Sequence, residues 1–359
     1  MPTIRAAVSH AHGAPLQIEN VTLRPPGPGE VEVTLEAVAV CHSDISYADG
    51  AWGGELPAVY GHEAAGRISA LGPGTPGTLG QPVLVTLIRA CQSCATCGGG
   101  APAYCPTDLG LPPPFTTASG TPVKAAMACG AFAERVTVHA SQLAPIPEDM
   151  PMDAACLLAC GVITGVGAAV NTARVRPGEV VVVIGAGGVG LNAIQGARIA
   201  GAARIVAVDL VPEKLSAAKE FGATDGVLAS ELKPWNAVRQ ATGGRLADAV
   251  LVTVGALPAY ETAPRYLAPQ GRMVMIGMPH SGERAFYEPV VIAALGQGMI
   301  GSKMGDVVLA RDIPWMIDLW RQGRLKLEEL ISARWRLDQI NEAIADTRAG
   351  SARRNVIVF

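Results

Sequence analysis

Up to about Pro147 the apolar residues arrive in short β-branched runs, Val31 to Val40, Pro82 to Ile88 and Phe132 to Val138, punctuated by glycine and proline in stretches such as RPPGPGE and LGPGTPG. That texture predicts β-strands joined by tight turns. From Gly178 the period changes. EVVVVIGAGG reads as a buried strand, VGLNAIQGARIAG as a helix, ARIVAVDL as a second strand and PEKLSAAKEFGA as a second helix, with further strands at Asp248 to Gly255 and Gly271 to Gly277. Strand and helix alternating at this spacing predict right-handed crossovers and a doubly wound parallel sheet. Beyond Lys303, two helical stretches, Ile313 to Gln322 and Leu337 to Arg348, precede a short strand, Asn355 to Phe359. The expected class is α/β: a β-rich domain over 1–161, a doubly wound domain over 162–303, and a stretch over 304–359 that returns to the first. No internal repeat is evident, and LGLPPPF reads as a local loop.

The length of 359 residues fits about two domains. With 49% hydrophobic and 16% charged residues and a net charge of -3, the chain is no disordered polyelectrolyte and makes a poor nucleic-acid binder. A mean hydropathy of +0.30 raises the question of a membrane span. The two longest uncharged runs, Ala154 to Val170 and Val180 to Ala197, are rich in glycine, and the second also holds Asn192 and Gln195, so both read as buried segments and no membrane partner is expected. The opening MPTIRAAVSHAHG has no cationic stretch followed by an apolar one, which makes the cytoplasm the expected location.

Gly185, Gly187 and Gly190 form GxGxxG directly after a buried strand and before a helix, and Asp209 ends the next strand. The glycines allow a tight turn and close approach to a pyrophosphate, and the helix start offers free N–H groups. Asp209 suits the adenosine ribose hydroxyls and repels a 2'-phosphate, which predicts NAD rather than NADP. Lys214, one turn into the following helix, is placed to brace the same ribose.

Eight cysteines are too few for a disulfide scaffold in a chain this long, and four of them cluster. Cys91, Cys94, Cys97 and Cys105 offer four thiolates from one glycine-rich loop, a closed set that predicts a structural zinc stapling a lobe over 89–108. Cys41, His62 and Cys160 are dispersed. Two thiolates and an imidazole would leave a fourth tetrahedral position open, as a catalytic zinc requires, but spacing does not show that the three converge. Cys129 and Cys156 are expected to be packing residues.

CHSD, GHEAAG, the four-cysteine loop, CGVITGVGA, GAGGVG with Gly188, the strand acid and the closing RRNVIVF occur in the order found in the zinc-dependent medium-chain alcohol dehydrogenases, and the chain resembles that family over essentially its whole length. The resemblance implies a GroES-like catalytic domain with a Rossmann cofactor domain, NAD held in the cleft between them, and two zinc ions per chain. It implies catalytic zinc on Cys41, His62 and Cys160, Glu63 behind the metal as an occasional ligand, and Asp44 orienting His62. It assigns His42 and Arg354 to the pyrophosphate, Thr164 and Val189 to the nicotinamide surroundings, and Ser43 to the first step of a proton relay. Ser46 stands where many members carry the terminal histidine of that relay, so the last proton is expected to pass to water or buffer.

Trp52 and Leu87 match pocket-lining positions and favour an apolar alcohol, aromatic or of medium length. Lys303 falls where a hydrophobic pocket residue often sits; it is read either as a surface or interface lysine or as a partner for an anionic substrate group. The expected reaction is reversible oxidation of a primary or secondary alcohol to an aldehyde or ketone by NAD, in a homodimer or homotetramer that associates through Met299 to Lys303. Four alternatives stay open: a nicotinoprotein alcohol dehydrogenase that does not release its NAD, a glutathione-dependent formaldehyde dehydrogenase, a quinone or enone reductase without catalytic zinc, and a structural or sensing protein that binds NAD without turnover. Trp52 at a position matching an acidic residue disfavours the glutathione branch.

Overall fold

A computed structural model describes residues 1–350 and 352–359. The chain divides into two compact units, 1–160 with 308–359, and 161–307.

In the first unit, five short strands close a barrel in the order Thr3–Ser9, Gln17–Leu23, Phe115–Thr117, Pro122–Ala125 and Ala58–Val59. A larger sheet runs Leu143–Pro145, Pro82–Thr86, Glu63–Leu71, Glu30–Val40, Arg354–Val358 and Ile331–Trp335, with Arg135–His139 also paired to Glu30–Val40. The strand Glu30–Val40 is buried along most of its length, which is why it reads as a near-continuous apolar run. The final strand lies antiparallel beside it, Val356 opposite Ala39, so the last stretch completes the sheet begun near residue 30. Val21, Val33, Val38, Phe115, Phe132 and Ile357 share one buried core cluster of this unit.

The second unit is a six-stranded, all-parallel sheet in the order Asp225–Leu228, Arg204–Asp209, Val180–Ile184, Ala247–Val252, Leu267–Met275 and Gly298–Gly301. Counted along the chain this is 3-2-1-4-5-6, the doubly wound arrangement whose switch point lies at the carboxyl end of the first strand. All five residues of Val180–Ile184 are buried, because helices cover both faces of such a sheet.

The expected C-terminal helices occur at Leu309–Arg321 and Ile340–Ala349, the second entered through a 3₁₀ turn at Leu337–Gln339. Residues 304–307, read from sequence as part of the return, sit in the second unit. Among the described residues no single helix is long and apolar enough to cross a membrane.

Candidate active site and metal centres

Cys41, His62, Glu63 and Cys160 place one ligand atom each within 4.8 Å of one another, and all four are buried. Cys41 precedes the helix His42–Ala48 and Glu63 opens the strand Glu63–Leu71. The turn that brings them together is built around Asp44. Its Oδ2 accepts from Cys41 N at 3.0 Å, and its Oδ1 accepts from Gly61 N and from His62 Nδ1, both at 2.9 Å. Donation through Nδ1 leaves Nε2 as the lone pair, and Nε2 lies 3.3 Å from Cys160 Sγ. Gly61, at φ +92°, is required here: a Cβ would lie 2.6 Å from Phe132 N.

The electrostatics of the cluster are those of groups crowded out of water. Cys160 acts as a donor that pulls the Cys41 thiol well below its ordinary 9.0, against the cost of burial and with help from His62. Burial opposes a charge on His62, but Asp44 outweighs it and raises the imidazole well above 6.5. Burial lifts Glu63 to about 8 even though the Arg354 guanidinium opposes the rise. Glu63 Oε1 receives Arg354 Nη1 at 3.1 Å, while Oε2 is buried without a hydrogen-bond partner. An orphaned carboxylate oxygen beside two thiols and an imidazole nitrogen that faces them suits a divalent cation.

The four-cysteine loop closes on itself. Sulfur separations are 4.0 Å for Cys91 and Cys97, 3.9 Å for Cys94 and Cys105, and 3.6 Å for Cys91 and Cys105. A tetrahedron with Zn–S arms of about 2.3 Å has edges of about 3.8 Å, so this set also fits zinc. The Thr107 hydroxyl and nearby backbone N–H groups lower Cys91 to about 5.

In the second unit, Gly187 caps the helix Gly188–Ile199. A Cβ at Gly190 would lie 1.8 Å from Gly185 O, and one at Gly185, where φ is +93°, would lie 2.4 Å from Val254 Cγ1; around Gly187 nothing lies within 4 Å. Gly185 and Gly190 are thus demanded by packing, and Gly187 leaves the helix start open to a ligand. Asp209 reaches this turn: its Oδ2 accepts from Ala186 N at 2.7 Å and its Oδ1 from Val211 N at 3.0 Å. Lys214 is half-buried on the helix Pro212–Phe221.

Gly165 packs where a Cβ would meet Val189 O at 2.4 Å, which brings Thr164 and Val189 together. Thr164 Oγ1 donates to Met304 Sδ at 3.7 Å. Lys303, next to Met304, is exposed.

On the helix His42–Ala48, His42 is exposed and Ser43 and Ser46 are half-buried. Trp52 is half-buried and meets Tyr47 edge-on, with centroids 5.0 Å apart. Leu87 packs on the apolar core of the first unit. Arg354, which the resemblance assigns to a pyrophosphate, is buried with Nη1 on Glu63 Oε1. Cys129 and Cys156 are buried, and burial raises both thiols.

Two family models match the chain: the alcohol dehydrogenase GroES-like domain over residues 27–148 and the zinc-binding dehydrogenase domain over 188–322. The NDMA-dependent alcohol dehydrogenase of Amycolatopsis methanolica is 33% identical, covering 99% of this chain and 98% of its own. S-(hydroxymethyl)glutathione dehydrogenase of Paracoccus denitrificans is 31% identical over 99% of both. Among solved structures, an alcohol dehydrogenase zinc-binding domain protein from Burkholderia ambifaria superposes at TM-score 0.95 and 34% identity, covering 100% of this chain and 99% of its own. Benzyl alcohol dehydrogenase from Acinetobacter calcoaceticus does so at 0.94 and 29%, covering 100% of both.

Proposed function

The chain belongs to the zinc-dependent medium-chain alcohol dehydrogenase family, an oxidoreductase family that oxidises alcohols, and from that premise we propose that it converts a primary or secondary alcohol to an aldehyde or ketone by reversible hydride transfer to NAD. The observation that carries the reading is the convergence of Cys41, His62, Glu63 and Cys160 on one buried point. A zinc ion held there by Cys41, His62 and Cys160 supplies a Lewis acid that makes an alcohol proton easier to remove, and NAD supplies the hydride acceptor. Cys91, Cys94, Cys97 and Cys105 would hold a second zinc, which with four thiolates would serve to hold the lobe together rather than take part in the reaction.

The chain's own side chains do the rest. Asp44 fixes the His62 tautomer, so that Nε2 is always the basic nitrogen. The Ser43 hydroxyl takes the alcohol proton and hands it on; Ser46 is no base at neutral pH, so water receives it. In the second unit the glycine turn and the start of the helix Gly188–Ile199 take the pyrophosphate, Asp209 and Lys214 the ribose, and Thr164 and Val189 flank the nicotinamide. Asp209 exchanges its bond with Val211 N for the ribose hydroxyls, and its charge supports NAD over NADP. His42, exposed at the start of its helix, meets the pyrophosphate as a weaker cation than arginine. Trp52 beside Tyr47 favours an aromatic or medium-length alcohol.

A second reading is supported by the likeness to the NDMA-dependent enzyme: the same chemistry with NAD that stays bound and passes electrons to another acceptor. The glutathione branch is disfavoured by Trp52. Eight cysteines with no disulfide among the described residues suit a reducing compartment, which supports the cytoplasm. The sheet-edge strand Gly298–Gly301, the helix Pro289–Leu295 with no buried residue, and Phe286 at 79% exposure support pairing of two copies along this edge.

One purification tests these readings. Two zinc ions per chain and NADH formation from benzyl or medium-chain alcohols are expected. Nicotinamide cofactor released only on denaturation would select the second reading. Zinc-replete protein that turns over no alcohol with NAD, NADP or an artificial acceptor would overturn both.

A further inference from the structure

Gln142 is fully buried, and both ends of its carboxamide are satisfied. Its Oε1 accepts from Arg89 Nε at 2.9 Å and from His139 N at 3.2 Å. Its Nε2 donates to Thr86 O at 2.9 Å and to Ala128 O at 3.0 Å, and lies 3.4 Å from Cys129 Sγ. These partners belong to three separate pieces of the first unit.

Arg89 stands two residues before Cys91, at the base of the cysteine lobe, and its Nη2 donates to the same Ala128 carbonyl at 2.9 Å. The next residue is tied in as well, since Ala90 N donates to Ser141 Oγ at 3.0 Å. Ala128 lies in a loop with consecutive left-handed residues, Met127 at φ 49° and Ala128 at φ 62°. Neither is glycine, so this backbone costs free energy and persists only where its surroundings hold it. Two donors on the Ala128 carbonyl are such a hold.

The loop leads straight to the catalytic turn. Ala131 N donates to Gly61 O at 2.9 Å and Phe132 N to Tyr60 O at 2.8 Å, immediately before His62. Thr86, the third partner, lies directly opposite Glu63 in the strand pairing. One carboxamide therefore touches the strand opposite Glu63, the loop that carries the turn before His62, and the base of the structural lobe.

We propose that Gln142 is a positioning residue for the catalytic metal cluster and, through Arg89, makes the placement of His62 and Glu63 depend on how the cysteine lobe is seated. The proposal rests on the zinc reading above. Loss of the carboxamide removes one of the two donors on the Ala128 carbonyl and the acceptor of Arg89 Nε, and loosens the loop holding Tyr60 and Gly61, so that the imidazole moves relative to the two thiolates. Donor sets held by such outer contacts lose about 10–100-fold in metal affinity or activity when the contact is removed.

The test uses the full chain with cobalt(II) exchanged for zinc, in wild type, Gln142→Leu and Arg89→Met, each measured well below its unfolding temperature. Shifted visible bands of the cobalt bound by two thiolates and an imidazole are expected in both variants. Chelator release of that ion should be about tenfold faster, with a fall in kcat and an unchanged KM for NAD, whose glycine turn and ribose-binding Asp209 lie on the other unit. Folded variants with wild-type bands and release rate would overturn the proposal; should Gln142→Leu fail to fold, Arg89→Met decides alone. If wild-type protein shows no thiolate–cobalt bands at the Cys41–His62–Cys160 set, the zinc reading itself fails and this role falls with it.

Discussion

Arg354 and Glu63 form an ion pair with Nη1 to Oε1 at 3.1 Å, and their side chains are only 6% and 0% exposed. The arginine opens the chain's last strand, and the carboxylate belongs to the donor cluster. Removing the arginine takes away the donor to Glu63 Oε1 and, with burial already holding that carboxyl at about 8, leaves a buried acid with unpaired oxygens, at a cost of about 1–3 kcal/mol. Arg354→Met is therefore expected to lower stability by about 1–3 kcal/mol in urea denaturation of zinc-loaded protein. The double variant with Glu63→Gln should recover part of that loss; a double variant as weak as the single one would show that the pairing is not what matters.

The glycines of the nucleotide turn separate folding from binding. A Cβ at Gly190 would sit 1.8 Å from Gly185 O, whereas one at Gly187 would meet nothing within 4 Å. Gly190→Ala should destabilise the second unit by about 1–3 kcal/mol or more, as overpacking does. Gly187→Ala should melt like wild type and raise the KM for NAD. Calorimetry combined with cofactor titration distinguishes the two, and equal melting losses would contradict the assignment.

Much of this was legible in sequence because it is local. Four cysteines within one loop have few ways to fold except around an ion, and a glycine triplet between a valine run and a helix fixes its own geometry. The convergence of Cys41, His62 and Cys160 is not local; it depends on strand pairing between residues far apart in the chain, and only the resemblance to a family pointed to it. Arg354 shows the limit. A cation near the end of a chain reads as surface charge or a phosphate contact, and only the register of Arg354–Val358 against Glu30–Val40 reveals that it faces a buried carboxylate. Gln142 gave no signal at all, because a buried amide looks like any other glutamine until its five partners are in place.

Acid stability should depend on Glu30. Burial opposes its charge, but bonds from Arg24, with Nη1 at 2.6 Å, and from Gly27 N at 2.9 Å prevail and hold it below the ordinary 4.5. A carboxyl whose folded-state value is depressed stabilises the fold above its unfolded value, and that contribution is lost as pH falls through the folded one. Glu30→Gln is expected to lower the denaturation midpoint at neutral pH and to flatten its decline below the ordinary carboxylate range. Parallel midpoint-against-pH curves for the two proteins would exclude the effect.

The two proposed zinc sites should respond differently to single substitutions. Asp44 accepts from three N–H groups with two oxygens, and an amide in its place has one acceptor oxygen, so Asp44→Asn must leave a donor unpaired. About a 10–100-fold loss of activity with two zinc ions still bound at high free zinc is expected. Cys105→Ser should instead remove one zinc per chain and make 89–108 sensitive to protease. Metal analysis alongside limited proteolysis reads both outcomes.

The strand Arg354–Val358 lies inside the larger sheet, between strands from near residue 30 and near residue 331. During synthesis, residues 161–307 can leave the ribosome and fold as a finished unit while the portion around them, begun earlier, still waits for its last strand. Glu63 stays without its buried counter-ion until then. The first unit is thus the last part of the nascent chain to be completed, although most of it is translated first.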